Sequence, residues 1–418
     1  MGKALTKPGD MLFGRRAWQD FITAWGRLTD GKPVTTRMNA ATKTVARLKA
    51  QPGMDLSIIG STSLVRDLHA AGLIDHSPAH DRVRFGQQAR NRPTPRRLGA
   101  EMSNQRQQWV ALPVADWEPT YDTLHMYTQI MGKISLALRP MTNHWWQVAL
   151  ELYARGLRTA ALPHGARTFE MDLDLVDHVL HIDTDGGERR TVELGRPVRD
   201  FYHDTMAALD GLGLHVPIWT QPVEVADPIP FDEDTVHATY DPAQVERYWH
   251  VLCQVEGVLD EFRARFTGKA SPVQFYWGSF DLATTRYSGR PTDPPPNADT
   301  ITRFSYTAEQ SSLGFWPGGT WLNGMRVEQP IFYSYTYPEP PGVRDQPVSP
   351  AAARFDAGLG EFVLSYEDVR RADDPRQAIL DFAQTTYETG ARLQRWPREV
   401  LEWTPPTPPS HRRAMSAI

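Results

Sequence analysis

The sequence is poor in cysteine, in long apolar runs and in excess basic charge. Its 418 residues include one cysteine, Cys253. An intrachain disulfide is therefore excluded, and a reducing, cytoplasmic location is expected. No apolar run approaches the ~20 residues of a membrane-spanning helix, so no membrane partner is expected. The formal net charge of -5 gives no general attraction to nucleic acid, so no nucleic-acid partner is expected either.

The sequence also lacks the common motifs of catalysis and metal binding. It contains no P-loop, no G-x-S-x-G elbow and no complete G-x-G-x-x-G pattern. The histidine pair His178 and His181 falls on a predicted strand at a separation that points the two side chains to opposite faces. No metal site is therefore predicted, and the sequence leaves open whether the protein is an enzyme.

The first recognisable unit lies within residues 1–76. Residues 55–59 have the pattern of a buried strand, a small-residue turn follows, and residues 64–71 are helical. A strand, turn and helix N-terminus can bind an anion, although a plain connection is the alternative. Residues 11–76, with "MLFGRRAWQDFITAW" and "DLSIIGSTSLVRDLHAAGLID", resemble the dihydrofolate reductase-like domain of bacterial riboflavin biosynthesis enzymes. The resemblance implies an NADPH phosphate site at Gly60, Ser61, Thr62 and Ser63.

The rest of that family's sheet is missing, which predicts a truncated α/β fragment that binds NADPH weakly if at all. Residues 77–106 then shift to an arginine- and proline-rich composition. This composition predicts a disordered basic linker, with a basic arm for an acidic partner as the alternative. A larger domain is predicted over residues 107–404, followed by a disordered tail over 405–418.

Two helical segments of this larger domain share a pattern. "LHMYTQIMGKI" carries His125, Gln129 and Gly132, and "WHVLCQVEGVL" repeats the same three residue types at the same spacing from His250. In both parts of the sequence, strand-like alternation and a closing helix follow. We therefore predict an α+β fold of two helix–antiparallel sheet–helix repeats, at about 120–212 and 246–392, packed about a pseudo-two-fold axis.

One predicted strand in each repeat carries candidate site residues. "WWQVALELYARGL" from Trp145 and "FYWGSFDLATTRYSGR" from Phe275 are both interpreted as strands. Their alignment places Glu151 opposite Asp281. Strand alternation then places Trp277, Ser279 and Asp281 on one polar face.

The candidate site is a pocket between the repeats. His125 would act as general base or hydrogen-bond donor and Asp281 as the second catalytic group. Arg286 would clamp an anionic group. In each case the alternative is a structural role in the core. The remaining candidate ligand contacts are Gln129, Lys133, Trp277, Ser312 and Trp316.

Residues from about 107 to 404 resemble a bacterial family known as domain-of-unknown-function family 5996. The resemblance is carried by "TLHMYTQIMGKISLAL", "NHWW", "IPFDEDTVHATYD", "SPVQFYWGSFDLATTRYSGR" and "SSLGFWPGG". It implies a soluble bacterial protein and supplies no reaction or site residues. The leading hypothesis is a binding protein for a small polar molecule, with enzymatic activity as an option and the cofactor unknown. An NADPH-dependent reductase and a non-catalytic interaction protein are the alternatives, and the oligomeric state is left open.

Overall fold

The computed structural model describes residues 109–320 and 324–403. The predicted N-terminal fragment, the basic linker and the tail lie outside these ranges. So does the predicted phosphate site at Gly60, Ser61, Thr62 and Ser63.

The fold is α+β, as the sequence predicts. The helices are α1 (Val114–Leu138), α2 (Val198–Gly211), α3 (Pro242–Ala264), α4 (Thr300–Ser305), α5 (Tyr366–Arg371), α6 (Pro375–Leu393) and α7 (Arg398–Leu401). Short 3-10 turns occur at Asn143–Trp145 and Val343–Asp345.

The strands of the first half are β1 (Glu151–Tyr153), β2 (Gly156–Arg158), β3 (Leu162–His164), β4 (Arg167–Asp174), β5 (Val179–Thr184) and β6 (Arg189–Glu193). Those of the second half are β7 (Gln274–Tyr276), β8 (Asp281–Pro291), β9 (Ala308–Trp316), β10 (Gly319–Thr320), β11 (Arg326–Val327), β12 (Ile331–Tyr337), β13 (Arg354–Asp356) and β14 (Glu361–Ser365).

The strands form two antiparallel sheets and one small hairpin. The first sheet has the order β1-β2-β4-β5-β6, with β3 paired to β4, and the second has the order β13-β14-β12-β9-β8-β7. Strands β10 and β11 pair separately. Helices α1 and α2 contact the first sheet, α3 and α6 pack on the second, and α1 contacts α3.

One residue pair joins the two sheets. Leu150 and Phe275 exchange two backbone hydrogen bonds, each 2.9 Å long. Both side chains are fully buried. The two halves therefore meet at their first strands, which is compatible with the predicted pseudo-two-fold relation. The duplication itself stays a prediction, which a superposition of 120–212 on 246–392 would test.

Short sequence signals start two of the long helices. Asp241 accepts a hydrogen bond from the Ala243 backbone N–H, and Asp374 does the same for Gln377. A proline follows each aspartate, where its missing N–H costs nothing. Helix α1 is different, because almost every residue from Thr120 to Ser135 is buried. It lies at the centre of the domain and is held by packing.

The structure corrects two strand predictions. The segment from Trp145 begins at the end of a 3-10 turn, and strand structure starts only at Glu151, where β1 and the beginning of β2 replace the single predicted strand. The segment from Phe275 divides into β7 and β8 around a tight turn, where Phe280 has a φ of 61°. Trp277 and Ser279 therefore lie in a turn and not in line with Asp281. The predicted alignment of Glu151 with Asp281 is not supported, since Glu151 is exposed and Asp281 is buried.

Candidate functional site

The second sheet has one apolar face and one polar face. A row of buried residues crosses the apolar face, and helices α3 and α6 cover it: Leu282, Phe315, Phe332 and Leu364. Because side chains alternate along a strand, the neighbouring residues point to the opposite side. We call that side the polar face. It carries carboxyl, hydroxyl and amide groups where an ordinary core would carry aliphatic ones.

The cross-strand register fixes what the polar face contains. One row runs across five strands: Gln274, Ala283, Gly314, Tyr333 and Val363. The next row consists of Thr285, Ser312 and Tyr335. Asp281 and Glu361 lie two residues from Ala283 and Val363 on their strands and share the same face. Small residues thus form the middle of the face, and larger polar residues together with an apolar cluster of Trp316, Ile331 and Val363 surround them.

Two carboxyl groups of the polar face, and a third that reaches it from a loop, have raised pKa values. Burial, together with the charge of Asp281, raises the pKa of Glu224 to about 7 and that of Glu361 to about 8. Burial also raises the pKa of Asp281. Within the described ranges, no lysine, arginine or histidine forms an ion pair with any of the three. Unpaired buried carboxyl groups are costly in a core, so their convergence indicates a functional site.

Asp281 is held by two hydroxyl groups. Ser279 donates from Oγ to Oδ1 at 2.5 Å, and the Tyr333 hydroxyl donates to the other carboxylate oxygen. The Tyr333 ring reaches Asp281 by crossing β9 at Gly314. A Cβ atom at Gly314 would lie 2.3 Å from that ring. Only glycine at this position therefore leaves room for the Tyr333–Asp281 bond.

Two glutamine side chains on the polar face have acceptors without partners. Gln274 and Gln310 are 6% and 3% exposed, and the Oε1 atom of each forms no hydrogen bond. The Gln274 Nε2 atom donates to the Trp146 carbonyl oxygen at 3.4 Å. Exchanging the nitrogen and oxygen of this amide would set two acceptors against each other, so this contact favours the present orientation of Gln274.

Tyrosines and a short helix border the polar face. Tyr306 follows α4, and its ring centre lies 4.6 Å from that of Tyr337 and 6.0 Å from that of Tyr335. His144 and Trp145 fix α4 by donating to the carbonyl oxygens of Ser305 and Ile301, at 2.8 and 2.9 Å. Burial raises the pKa of all 14 tyrosines of the sequence. The tyrosines at the site are therefore neutral and keep their hydroxyl protons.

His125 binds to the turn that precedes Asp281. Its Nε2 atom lies 3.0 Å from the Trp277 carbonyl oxygen and 2.9 Å from that of Gly278. Two carbonyl oxygens require a donor, so Nε2 carries the proton. Burial lowers the pKa of His125 to about 4. The imidazole is thus neutral at physiological pH and holds the turn. The roles toward a ligand that were predicted for His125, general base or hydrogen-bond donor, stay predictions.

Gln129, one turn later on α1, holds a second loop. Its Oε1 accepts from the Val223 N–H at 2.9 Å, and its Nε2 donates to the Val223 carbonyl at 2.7 Å. The next residue is Glu224, whose carboxyl lies so close to Gly278 that a Cβ atom there would be 1.9 Å from Oε2. Helix α1 therefore fixes both loops that bring carboxyl groups to the polar face.

The other predicted site residues lie in different environments and do not form one group. Lys133 is buried with Nζ 4.7 Å from the Trp219 ring centre, and burial lowers its pKa to about 8. The Trp277 indole donates to the Val148 carbonyl at 2.9 Å, and its ring occupies the space beside Gly132. The Ser312 hydroxyl lies on the polar face, 3.0 Å from that of Thr285. Trp316 packs in a small apolar cluster with Ile331 and Val363.

The structure corrects the placement of Arg286. Asp281 and Arg286 lie on the same strand with an odd separation, so their side chains point to opposite faces. The guanidinium is 1% exposed, donates to the Phe262 carbonyl and lies 3.5 Å from the Phe262 ring centre. An anion clamp beside Asp281 is therefore not available to Arg286. Its contacts are those of a core residue at the end of α3.

Sequence reasoning missed Glu224, Glu361, Gln274 and the tyrosines. A signal existed in "IFYSYTYPEP", where tyrosines alternate along a single strand, and in "GEFVLSYEDV", where Glu361 is in phase with Val363. Alternation of this kind indicates a sheet face that is not filled by aliphatic residues. Glu224 gave no such signal, because it lies in an irregular segment between α2 and α3.

Comparison with known proteins places the chain in a family. Within the described ranges, no group of three or more His, Cys, Asp or Glu side chains could hold a metal ion. There too, no helix is both long and apolar enough to cross a membrane. No curated protein and no solved structure shows a significant match to the chain. A family model does match, over residues 109–403. The chain therefore belongs to DUF5996, a family of unknown function.

Proposed function

We propose that this protein binds a small polar molecule on the polar face of its second sheet. The observation that carries the proposal is the convergence of Asp281, Glu224 and Glu361 without an ion-pair partner among the described residues. Unpaired acids are expensive to bury, and selection for stability alone would replace them with apolar residues. A bound ligand that contacts these groups would offset the free-energy cost of burying them.

Acid–base catalysis at the same site is a second candidate function. Glu224 and Glu361 have pKa values of about 7 and about 8. Near neutral pH, each can both give and take a proton, which is what general acids and bases require. Asp281, fixed by Ser279 and Tyr333, would orient the ligand. The reaction would then be a proton transfer on the bound molecule.

The test is a ligand screen on the full chain with matched variants. Small amines, polyols and carboxylates would be screened by thermal shift, and hits would be measured by calorimetry. Asp281→Asn should weaken binding of a hit by about ten-fold or more. It should change the free energy of unfolding by no more than about 1 kcal/mol, because the isosteric amide still accepts from one hydroxyl. Glu193→Gln, an exposed position on β6, is the control and should bind as the wild type does.

Two results would contradict the proposal. One is a hit whose affinity is unchanged in both Asp281→Asn and Glu361→Gln, because the ligand would then bind elsewhere. The other is a screen in which no compound stabilises the protein. That result would favour the third hypothesis, a non-catalytic interaction protein. Saturable NADPH binding that is lost in Gly60→Asp would instead support the reductase alternative.

A further inference from the structure

We infer that the ligand of the polar face is an organic cation, bearing an ammonium or guanidinium group. The inference rests on the proposed function and adds the chemical class of the molecule. It follows from an inventory of the hydrogen-bond donors, acceptors and charges that the face presents. Asp281 is the starting point, because the structure shows which hydroxyl groups bind it and which carboxyl groups lie near it.

The hydroxyl donors nearest Asp281 already have acceptors within the protein. Ser279 and Tyr333 donate to Asp281 itself. Thr285 and Ser312 form a hydrogen bond with each other at 3.0 Å. In the Thr285–Ser312 pair one hydroxyl donates and the other accepts, so at most one of these four hydroxyl protons is left for a ligand. A ligand that offered only acceptors, such as a carboxylate or phosphate, would therefore find few free donors.

The polar face still has hydrogen-bond acceptors without partners in the protein. Gln274 is 6% exposed, lies in the row next to Asp281, and has an Oε1 atom without a partner. The contact of Nε2 with the Trp146 carbonyl favours this orientation of the amide, with Oε1 left free. The carboxyl groups of Glu224 and Glu361 are half-buried, and a cation bound beside them would favour their ionised form, in which both oxygens accept. The ligand group that would match these acceptors is therefore one rich in N–H donors.

Charge and aromatic surface favour the same class. The described residues place no basic side chain in an ion pair with the three acids. Lys269 reaches the face only at its far end, where Nζ is 2.8 Å from His144 Nε2 and 4.7 Å from the Tyr287 ring centre. Beside the acids, the parallel rings of Tyr333 and Tyr335 offer π faces, which attract organic cations.

The experiment compares probes of the same shape and different charge. Choline is paired with 3,3-dimethylbutan-1-ol, its neutral isostere, and n-butylamine is paired with n-butanol and with butyrate. Each is titrated into the full chain by calorimetry at low ionic strength. We expect each cation to bind at least about ten-fold more tightly than its neutral partner. That preference should fall about ten-fold in Asp281→Asn and in Glu361→Gln, and it should persist in Glu193→Gln.

The outcomes separate this inference from the proposed function. Neutral probes that bind as tightly as the cations, and lose affinity in Asp281→Asn, would overturn the cationic ligand and leave the site in place. Preferential binding of butyrate would overturn it as well. Binding of no probe, together with a silent broader screen, would overturn both. Cation binding that Asp281→Asn and Glu361→Gln leave unchanged would also overturn the inference, because it would arise from general attraction to a chain of net charge -5.

Discussion

At the scale of single residues, the position of Asp281 depends on a residue that never touches it. Gly314 has no side chain, and the Tyr333 ring crosses the strand at that point to donate to Asp281. The hydroxyl bond lowers the pKa of Asp281, while burial raises it more. Burial, the Ser279 bond and the Tyr333 bond together set the pKa of this carboxyl group, and the last of these depends on the space above Gly314.

Gly314→Ala should therefore disturb the site and the fold together. The added methyl group would lie 2.3 Å from the Tyr333 ring, which must move away from Asp281. Overpacking of this kind costs about 1–3 kcal/mol, to be measured by urea denaturation. Gly211→Ala is the control, since no atom lies within 4 Å of its Cβ position at the end of α2. It should be neutral or stabilise the fold by up to about 1 kcal/mol. Equal stability of the two variants would contradict this account.

At the scale of elements, the sequence predicted the helices better than the strands. The α1 pattern and the Asp-Pro starts of α3 and α6 are local signals, and the structure has helices at these positions. The turn that separates β7 from β8 was missed, because "FYWGSFDL" continues the apolar and polar alternation through it. That error placed Trp277 and Ser279 on a strand face. Glu361 and Tyr333 could not be joined to Asp281, since cross-strand register is not a property of one segment.

Helix α1 also gives a role to the repeated pattern at its centre. His125 holds the turn before Asp281, Gln129 holds the loop before Glu224, and Gly132 makes room for the Trp277 ring. Sequence reasoning selected these residues correctly as a group on one side of a helix. It assigned His125 and Gln129 to the ligand, whereas their visible partners are backbone groups of the loops that form the site.

Gln129→Leu should loosen one of these loops. The substitution removes both hydrogen bonds to Val223 and leaves a buried N–H and a carbonyl without partners, at a cost of about 2–4 kcal/mol. Hydrogen exchange at residues 223–225 should become faster, and ligand affinity should fall with it. Gln377→Leu is the control, because that side chain is exposed on α6 and bonds only within its own helix. An unchanged hydrogen-exchange rate at Val223 would show that the two hydrogen bonds from Gln129 do not hold the loop.

At the scale of the whole molecule, the carboxyl groups of the site predict how stability depends on pH. Glu224 and Glu361 have raised pKa values in the folded protein, about 7 and about 8, against 4.5 as the ordinary value. The folded state therefore retains protons that the unfolded state has lost. Their contribution to stability is fully present below about pH 4.5 and is lost as the pH rises through 7 and 8.

Glu361→Gln should remove part of this dependence. The amide does not ionise, so the fall in the free energy of unfolding between pH 5 and pH 8.5 should be smaller than in the wild type. Urea denaturation at a series of pH values measures this fall in the free energy of unfolding. Glu193→Gln, which is exposed, should leave the slope unchanged. A slope that is equally steep in Glu361→Gln would mean that this carboxyl is already ionised at neutral pH.

Every tyrosine is buried or half-buried, and this gives the molecule a spectroscopic property. Since the pKa of all 14 phenols is raised in the folded protein, little tyrosinate absorbance should develop as an alkaline titration passes the ordinary value of about 10. Unfolding would release these protons together, and the ultraviolet signal of phenolate would rise in one cooperative step. In alkali, the ultraviolet absorbance of tyrosinate is therefore a direct measure of how much folded protein remains.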